Sequence, residues 1–206
     1  DNNEFILKGT WPTPDGVYDW DGFKNYIFLD RIFSIKSNDT SQVTITKLSK
    51  KFTSLPKNWA NIDAVAADQK NNLLLLFNNK SCQIHFGNDR KPPLNLSLAA
   101  LIVGFPADIN YVDASFIKEH DLYLFVKDKI IIAKRLGAKF KVIKVENLKN
   151  MVSNWPYAWG NGDLSAANYN VQEKTIYFYK NEQYITLSEK THLATEPKKL
   201  EIKWSY

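Results

Sequence analysis

The residues best suited to chemistry form an aromatic cluster near position 157. It combines three rings with amides and an acid: Trp155, Tyr157, Trp159, Asn154, Asn161 and Asp163. Rings stack on the apolar faces of sugars or polyamines, while amides and carboxylates hydrogen-bond to them. We predict a ligand site at Trp159, Tyr157 and Asp163, with Trp159 the most exposed ring because it has no counterpart elsewhere. The alternative is that the rings pack between structural units, as expected for Trp59.

Other reactive side chains are few and scattered. The histidines His85, His120 and His192 are far apart in sequence, and nothing places two of them across one pocket as haem ligands. Close Cys/His spacing for zinc is absent, as is a G-x-S-x-G nucleophile elbow. The single cysteine, Cys82, lies in an apolar strand and predicts a buried, inert thiol. These observations predict that the protein is not an enzyme.

These residues are embedded in a repeat of about 50 residues. Ile62-Asp63-Ala64 recurs as Val112-Asp113-Ala114 and as Leu164-Ser165-Ala166, and a degenerate first copy is predicted at Val17-Tyr18-Asp19. A polar turn and an apolar strand containing an aromatic follow each copy, with Phe28, Phe77, Phe125 and Phe178 as the equivalent aromatics. Further polar turns and strands follow these, and a proline precedes each copy. Turns rich in Asn, Asp and Lys between apolar runs are typical of β-hairpins.

Four units of this kind predict an all-β fold, a four-bladed β-propeller with short helical connectors. Blades stack face to face, so their strands are buried on both sides, which explains the run Leu73–Leu76. Small residues at Ala64, Ala114 and Ala166 suit innermost strands that crowd an axis. The fourth strand of blade two, near Pro92-Pro93, is expected to be partly helical.

The predicted domain covers residues 1–206. We place blade one at about 13–55, blade two at about 56–105, blade three at about 106–156 and blade four at about 157–206. Residues 2–12 resemble the connector after blade three, and we expect them to pack as the connector of blade four. That arrangement would close the ring without a disulfide.

The three in-phase copies, with the strands Tyr123-Leu124-Phe125 and Ile176-Tyr177-Phe178, resemble hemopexin-like repeats over residues 5–206. Without a disulfide, the chain looks most like stand-alone bacterial proteins of the photopexin type or plant seed albumins. The resemblance implies a central tunnel in which main-chain carbonyls hold calcium or sodium. The implied metal positions are Asp63, Asp113, Ser165 and, loosely, Tyr18. Because Ser165 replaces an acid, the alternative is that the aspartates only hydrogen-bond to neighbouring strand ends.

Composition is that of a globular protein, with 44% hydrophobic and 24% charged residues, and no apolar run is long enough to span a membrane. The net charge of +5 would suit an acidic partner, but the lysines are spread along the chain, which favours a solvated surface. No nucleic-acid partner is expected.

The repeats and the resemblance together favour a non-catalytic binding module, either secreted or part of a longer, toxin- or virulence-associated protein. We expect it to recognise a host protein, a glycan or a small ligand. The alternatives are a carrier of haem or a polyamine and, less favoured, a propeller glycan hydrolase. The oligomeric state and the ligand are not determined by the sequence.

Overall fold

The computed structural model describes residues 13–87, 91–160 and 162–200, which form four antiparallel sheets joined in chain order. Each sheet forms one blade, whose four main strands pair sequentially. Blade one contains β1 (Gly16–Trp20), β2 (Phe23–Phe28), β3 (Arg31–Lys36) and β4 (Asp39–Lys47). Blade two contains β5 (Ala64–Asp68), β6 (Leu73–Asn78), β7 (Ser81–Phe86) and β8 (Leu94–Ser97). A short strand, β9 (Ile102–Val103), follows in the next connector.

Blades three and four repeat this plan. Blade three contains β10 (Ala114–Lys118), β11 (Asp121–Val126), β12 (Lys129–Leu136) and β13 (Lys139–Asn147). Blade four contains β14 (Ala166–Asn170), β15 (Thr175–Lys180), β16 (Gln183–Ser188) and β17 (Lys198–Lys199). Strand β9 pairs in parallel with β13, so the connector of blade two adds a fifth strand to blade three. The predicted four-bladed β-propeller is confirmed.

The first strands of the blades surround a central axis. Strands β1, β5, β10 and β14 contact one another in ring order, and opposite members also approach across the axis. Each strand begins with Gly16, Ala64, Ala114 or Ala166, because larger side chains would crowd this position. At Gly16, an added Cβ would lie 2.7 Å from a methyl group of Val65 in blade two. The small residues are therefore a packing requirement.

The inner strands of every sheet are covered on both faces, because one apolar cluster fills each junction between blades. In β6, Leu73 and Leu75 belong to the cluster between blades two and three. Leu74 and Leu76 belong to the cluster between blades one and two. All four leucines are buried, as predicted, since neither face of β6 meets solvent.

In the described part of the chain, three one-turn α-helices connect one blade to the next. They are α1 (Leu48–Lys51), α2 (Leu98–Leu101) and α3 (Leu148–Met151), and each begins with a buried leucine. The N–H groups of Leu48, Leu98, Leu148 and Leu200 donate to a turn carbonyl between the second and third strands of their own blade. The fourth strand of blade two leads directly into α2, in agreement with the partly helical segment expected there.

The junction between blades four and one is rich in tyrosine. Tyr26 and Tyr179 meet edge to face with ring centroids 6.1 Å apart. Deeper along β1, Asn168 of blade four donates to the Asp19 carboxylate across 2.9 Å. The predicted connector at residues 2–12 lies outside the described residues. Within the described ranges, no helix is long and apolar enough to cross a membrane.

The structure corrects the alignment of two repeats. Gly16 pairs with Ile27 as Ala64 pairs with Phe77, so the true first copy is Pro14-Asp15-Gly16, not Val17-Tyr18-Asp19. Ile27, not Phe28, is therefore the blade-one equivalent of Phe77. In blade four, Ala166 pairs with Tyr179, so the equivalent aromatic is Tyr179 and not Phe178.

Candidate functional site

Three aspartates lie at one end of the innermost strands, each immediately before its strand. The backbone N–H groups of Asp15, Asp63 and Asp113 donate to Ile27, Phe77 and Phe125 of the second strands. Their carboxylates accept N–H bonds of 2.6–2.7 Å from Leu29, Asn79 and Lys127 in the following hairpin turns. Each aspartate thus ties the start of its blade to a turn. We call the set Asp15, Asp63, Asp113, Asp163 and Ser165 the acidic mouth.

Ser165 takes the same place in blade four. Its N–H and its hydroxyl both donate to the Tyr179 carbonyl, at 2.9 and 3.1 Å. Asp163, two residues earlier, is exposed, and its charge acts on Asp113. The fourth blade therefore supplies a carboxylate to the mouth from a neighbouring position instead of from the repeat position.

The carboxylates of the mouth repel one another. Burial raises the pKa of Asp113, and the charges of Asp163 and Asp63 raise it further, against the lowering effect of the Lys127 N–H bond. Burial also raises the pKa of Asp15, with a smaller contribution from Asp63. These shifts come from burial and like charge, so the mouth is electronegative.

Tyr18 lies elsewhere than predicted. It is the third residue of β1, 2% exposed, and packs in the cluster between blades one and two. Asp15 holds the position that corresponds to Asp63, Asp113 and Ser165. An aspartate followed by the small residue Gly16 was the signal in the sequence that marked this position.

The connector between blades three and four forms a second feature. Its chain turns at Pro156, where the N–H of Trp159 donates to the Pro156 carbonyl across 3.0 Å. Trp59 and Ile109 make the same bond to Pro56 and Pro106, so Trp159 has structural counterparts in two other connectors. It is only 3% exposed, and its indole N–H donates to Gln183. The prediction that Trp159 is the exposed ring is wrong, because its position is the buried anchor of the turn.

Tyr157 is the exposed ring of this connector. It is 100% exposed, at a position occupied by Lys57 and Ala107 in the preceding connectors. Trp155 is partly buried, meets Trp159 edge to face at 5.7 Å, and donates its indole N–H to the Gly160 carbonyl across 3.0 Å. One ring is thus presented to solvent on a turn that its neighbours fix.

An open groove of about 740 Å³ lies along this connector. Tyr157 and Trp155 line it together with the exposed Asn154 and with Lys149 of α3. Asn154 has a left-handed backbone (φ 61°), which an asparagine tolerates better than most residues. Asp163 does not line the groove, so the three predicted ligand residues separate into a groove residue, a buried anchor and a residue of the mouth.

The far side of this connector is held by blade four and blade three. The Lys180 ammonium donates to the carbonyls of Trp159 and Gly162, at 2.8 and 2.5 Å. At Gly162 (φ 132°), an added Cβ would lie 2.1 Å from the Lys127 carbonyl oxygen. These contacts fix the segment between the groove and the mouth.

Comparison with known structures relates this geometry to other proteins. A hemopexin-fold protein from cow pea has a TM-score of 0.75 and 12% identity, with 92% of this chain and 94% of that chain covered. The chain has the hemopexin fold. No family model and no curated protein matches the chain by sequence.

Two other structures with the same propeller come from Cicer arietinum. One is described as a plant lectin with two metal binding sites, at TM-score 0.69 and 15% identity, with 92% of this chain and 90% of that chain covered. The other is a plant albumin described as showing hemagglutination, at TM-score 0.72 and 16% identity, with 90% and 92% covered. At such identities, the likeness establishes the hemopexin fold and no more.

The tunnel cation stays a prediction, and the negative charge of the acidic mouth is of the sign that would attract one. Its carboxylates do not form a direct ligand set, however. Among the described residues, no group of three or more His, Cys, Asp or Glu side chains could hold a metal ion. In each of the three repeat aspartates, one carboxylate oxygen already accepts a hydrogen bond from a turn N–H. Main-chain ligands at Asp63, Asp113 and Ser165 stay a prediction.

The histidines of this hemopexin-fold chain lie in different places. His85 packs on Phe52 and contacts Gln83 at 2.6 Å, and burial lowers the pKa of His85 to about 4. His120 lies in a turn beside Asp68 of blade two, at 3.3 Å. Cys82 is fully buried, and burial raises the pKa of its thiol, as suits an inert core residue. The predicted alternative of a haem carrier gains no support from these positions.

Proposed function

We propose that this protein is a non-catalytic module that binds a glycan in the groove along the connector that joins blades three and four. The observation that carries the proposal is Tyr157, a fully exposed ring at the edge of a concave surface. Its equivalents, Lys57 and Ala107, are not aromatic, so the ring is not required by the repeat. Among the three connectors that the structure describes, this one alone places an exposed aromatic ring beside a groove, which supports a contact with a ligand.

The groove combines apolar aromatic surface with hydrogen-bonding side chains, the two features that bind a sugar. The faces of Tyr157 and Trp155 offer apolar surface to the C–H groups of a pyranose ring. The Asn154 amide both donates and accepts hydrogen bonds, and the Lys149 ammonium donates, which suits the hydroxyls of the sugar. Its volume of about 740 Å³ would accommodate a short oligosaccharide.

Two neighbours support a glycan as the ligand, since one is described as a lectin and the other as showing hemagglutination. In this proposal the module acts outside the cell. A toxin- or virulence-associated setting and a protein partner stay predictions. For the aspartates at the mouth, the hydrogen bond repeated in three blades supports a structural role over that of a hydrolase.

A glycan array probed with the parent protein and with Tyr157→Ala tests the proposal. Stacking of one sugar covers about 60 Å² of the ring, worth about 1.5 kcal/mol, so the variant should bind about tenfold more weakly. Alanine occurs naturally at the equivalent Ala107, so the variant should fold. The matched control is Lys57→Ala, which should bind as the parent does. Equal glycan binding by Tyr157→Ala and the parent would refute the groove as the site.

A further inference from the structure

The positive charge of the chain is concentrated in one part of blade three. Residues 127–149 contain eight Lys or Arg and two Asp or Glu, a net charge of +6. The other residues keep 19 basic and 20 acidic side chains, a net charge of −1, although the whole chain is +5. The expectation of lysines spread evenly over a solvated surface therefore needs revision. This segment comprises β12, β13 and the start of α3.

Strand register places three of these lysines on one face of the sheet. Lys134 of β12 pairs with Lys141 of β13, which pairs in turn with Val103 of β9. In the next row, Leu136 pairs with Lys139. Partners in register share a face, and so do residues two apart in one strand. We call Lys134, Leu136, Lys139, Lys141 and Val103 the basic face.

The opposite face of the same strands is buried. Phe140 and its partner Ile102 pack in the cluster between blades two and three, 2% and 0% exposed. Arg135, which pairs with Phe140, reaches toward Asp68 of blade two, with 3.6 Å between the guanidinium and the carboxylate. These contacts hold the buried face of the hairpin against blade two, and the turn at Gly137 and Ala138 is exposed.

The basic face itself is open to solvent. Its three lysines are exposed, and none has an ion-pair partner among the residues that the structure describes. Like charges directly opposite each other, as in Lys134 and Lys141, destabilise a sheet unless an anion lies over them. Leu136 at the tip and Val103 beside Lys141 are 61% and 45% exposed.

We propose that the basic face binds the surface of a bilayer that contains anionic lipids. Lysines attract the headgroups, while Leu136 and Val103 enter the boundary with the acyl chains. A single-stranded nucleic acid would favour exposed aromatic rings for base stacking, whereas the ring in this hairpin, Phe140, is buried. The interleaved aliphatic side chains are what favour a lipid surface over a purely charged polymer.

This surface is separate from the groove. Strand β13 has nine residues, and the basic face lies at its start while α3 and the groove follow its end. At about 3.3 Å per residue, the six residues from Lys141 to the end of the strand separate them by about 20 Å. Loss of one site should leave the other unchanged.

Co-sedimentation with vesicles tests the proposal. The parent should bind vesicles of phosphatidylcholine with phosphatidylserine, fail to bind phosphatidylcholine alone, and be released by salt. The variant Lys134→Gln/Lys139→Gln/Lys141→Gln should bind about a hundredfold more weakly, at about fivefold per lysine. Equal sedimentation of this variant and the parent would overturn the proposal.

Two further variants separate charge from location. Lys50→Gln/Lys51→Gln/Lys57→Gln removes the same charge from exposed positions on another connector and should bind like the parent. If it loses as much affinity as the basic-face variant, net charge and not this face is responsible. Leu136→Ser should also weaken vesicle binding, and an unchanged affinity would contradict the insertion of Leu136. Binding to immobilised heparin without binding to vesicles would assign the face to a sulfated glycan and overturn the lipid surface.

Discussion

Leu75 and Leu76 provide a direct test of a sheet that is covered on both faces. Both are 0% exposed and adjacent in β6, yet they pack in different clusters, toward blade three and blade one. Replacement of a buried leucine by alanine costs about 3.5 kcal/mol, because it removes apolar contacts and leaves a cavity. We expect this loss for Leu75→Ala and for Leu76→Ala alike. In a sheet with one solvated face, only one of the two would be costly.

The expected change is large enough for thermal unfolding followed by circular dichroism. For 206 residues the entropy of unfolding is about 0.43 kcal/mol/K, so each variant should melt about 8 °C below the parent. The control is Leu94→Ala in β8, where the side chain is 47% exposed and the loss should stay below about 0.5 kcal/mol. A loss below about 1 kcal/mol at either Leu75 or Leu76 would refute a packed blade on that side.

Three further outcomes follow from the mouth and its neighbouring turn. Burial raises the pKa of Asp113 above its ordinary value of 3.8, so the folded protein binds this proton more tightly than the unfolded chain does. The resulting contribution to the free energy of unfolding is complete below pH 3.8 and is lost as the pH rises through the folded-state pKa. The melting temperature of Asp113→Asn should therefore rise relative to that of the parent as the pH increases toward neutral. A difference between the two melting temperatures that does not change with pH would contradict this. Calcium should raise the melting temperature of the parent more than that of Asp113→Asn, and an unshifted parent would exclude a stabilising ion. Gly162→Ala should lower the free energy of chemical unfolding by about 3 kcal/mol, because its Cβ would clash with the Lys127 carbonyl. The control Gly22→Ala, at φ 77° with open space around it, should lower it by about 1 kcal/mol. Equal losses for the two variants would refute the clash.

The fold could be predicted from the sequence because its repeats are in phase. Ala64 and Ala114 are 50 residues apart. The same spacing separates Leu48, Leu98 and Leu148, whose common role at the start of each connector helix was not predicted from the sequence. The repeats of blade two and blade three share their residue types, since the same strand positions meet the same axis. Blade one was shifted by three residues because Gly16 replaces the alanine.

The candidate site was less predictable, since exposure depends on which neighbours cover a ring. Trp159 and Tyr157 are two residues apart, yet one anchors the turn and the other lies fully in solvent. Comparison of Pro156-Tyr157-Ala158-Trp159 with Pro56-Lys57-Asn58-Trp59 would have shown that the tryptophan is the repeated residue. The face formed by Lys134 and Lys141 depends on strand register and on the added strand β9, which no local pattern reveals.

In the proposed function, the groove along the connector that joins blades three and four binds a glycan. The most direct measurement is a ¹H–¹⁵N spectrum of the tryptophan indoles during titration with an oligosaccharide selected on the array, with Trp155 assigned through Trp155→Phe. Because Trp155 lines the groove and Trp59 is the buried anchor of another connector, the signal of Trp155 should shift and that of Trp59 should stay constant. A bound glycan that leaves the Trp155 signal in place would contradict the account.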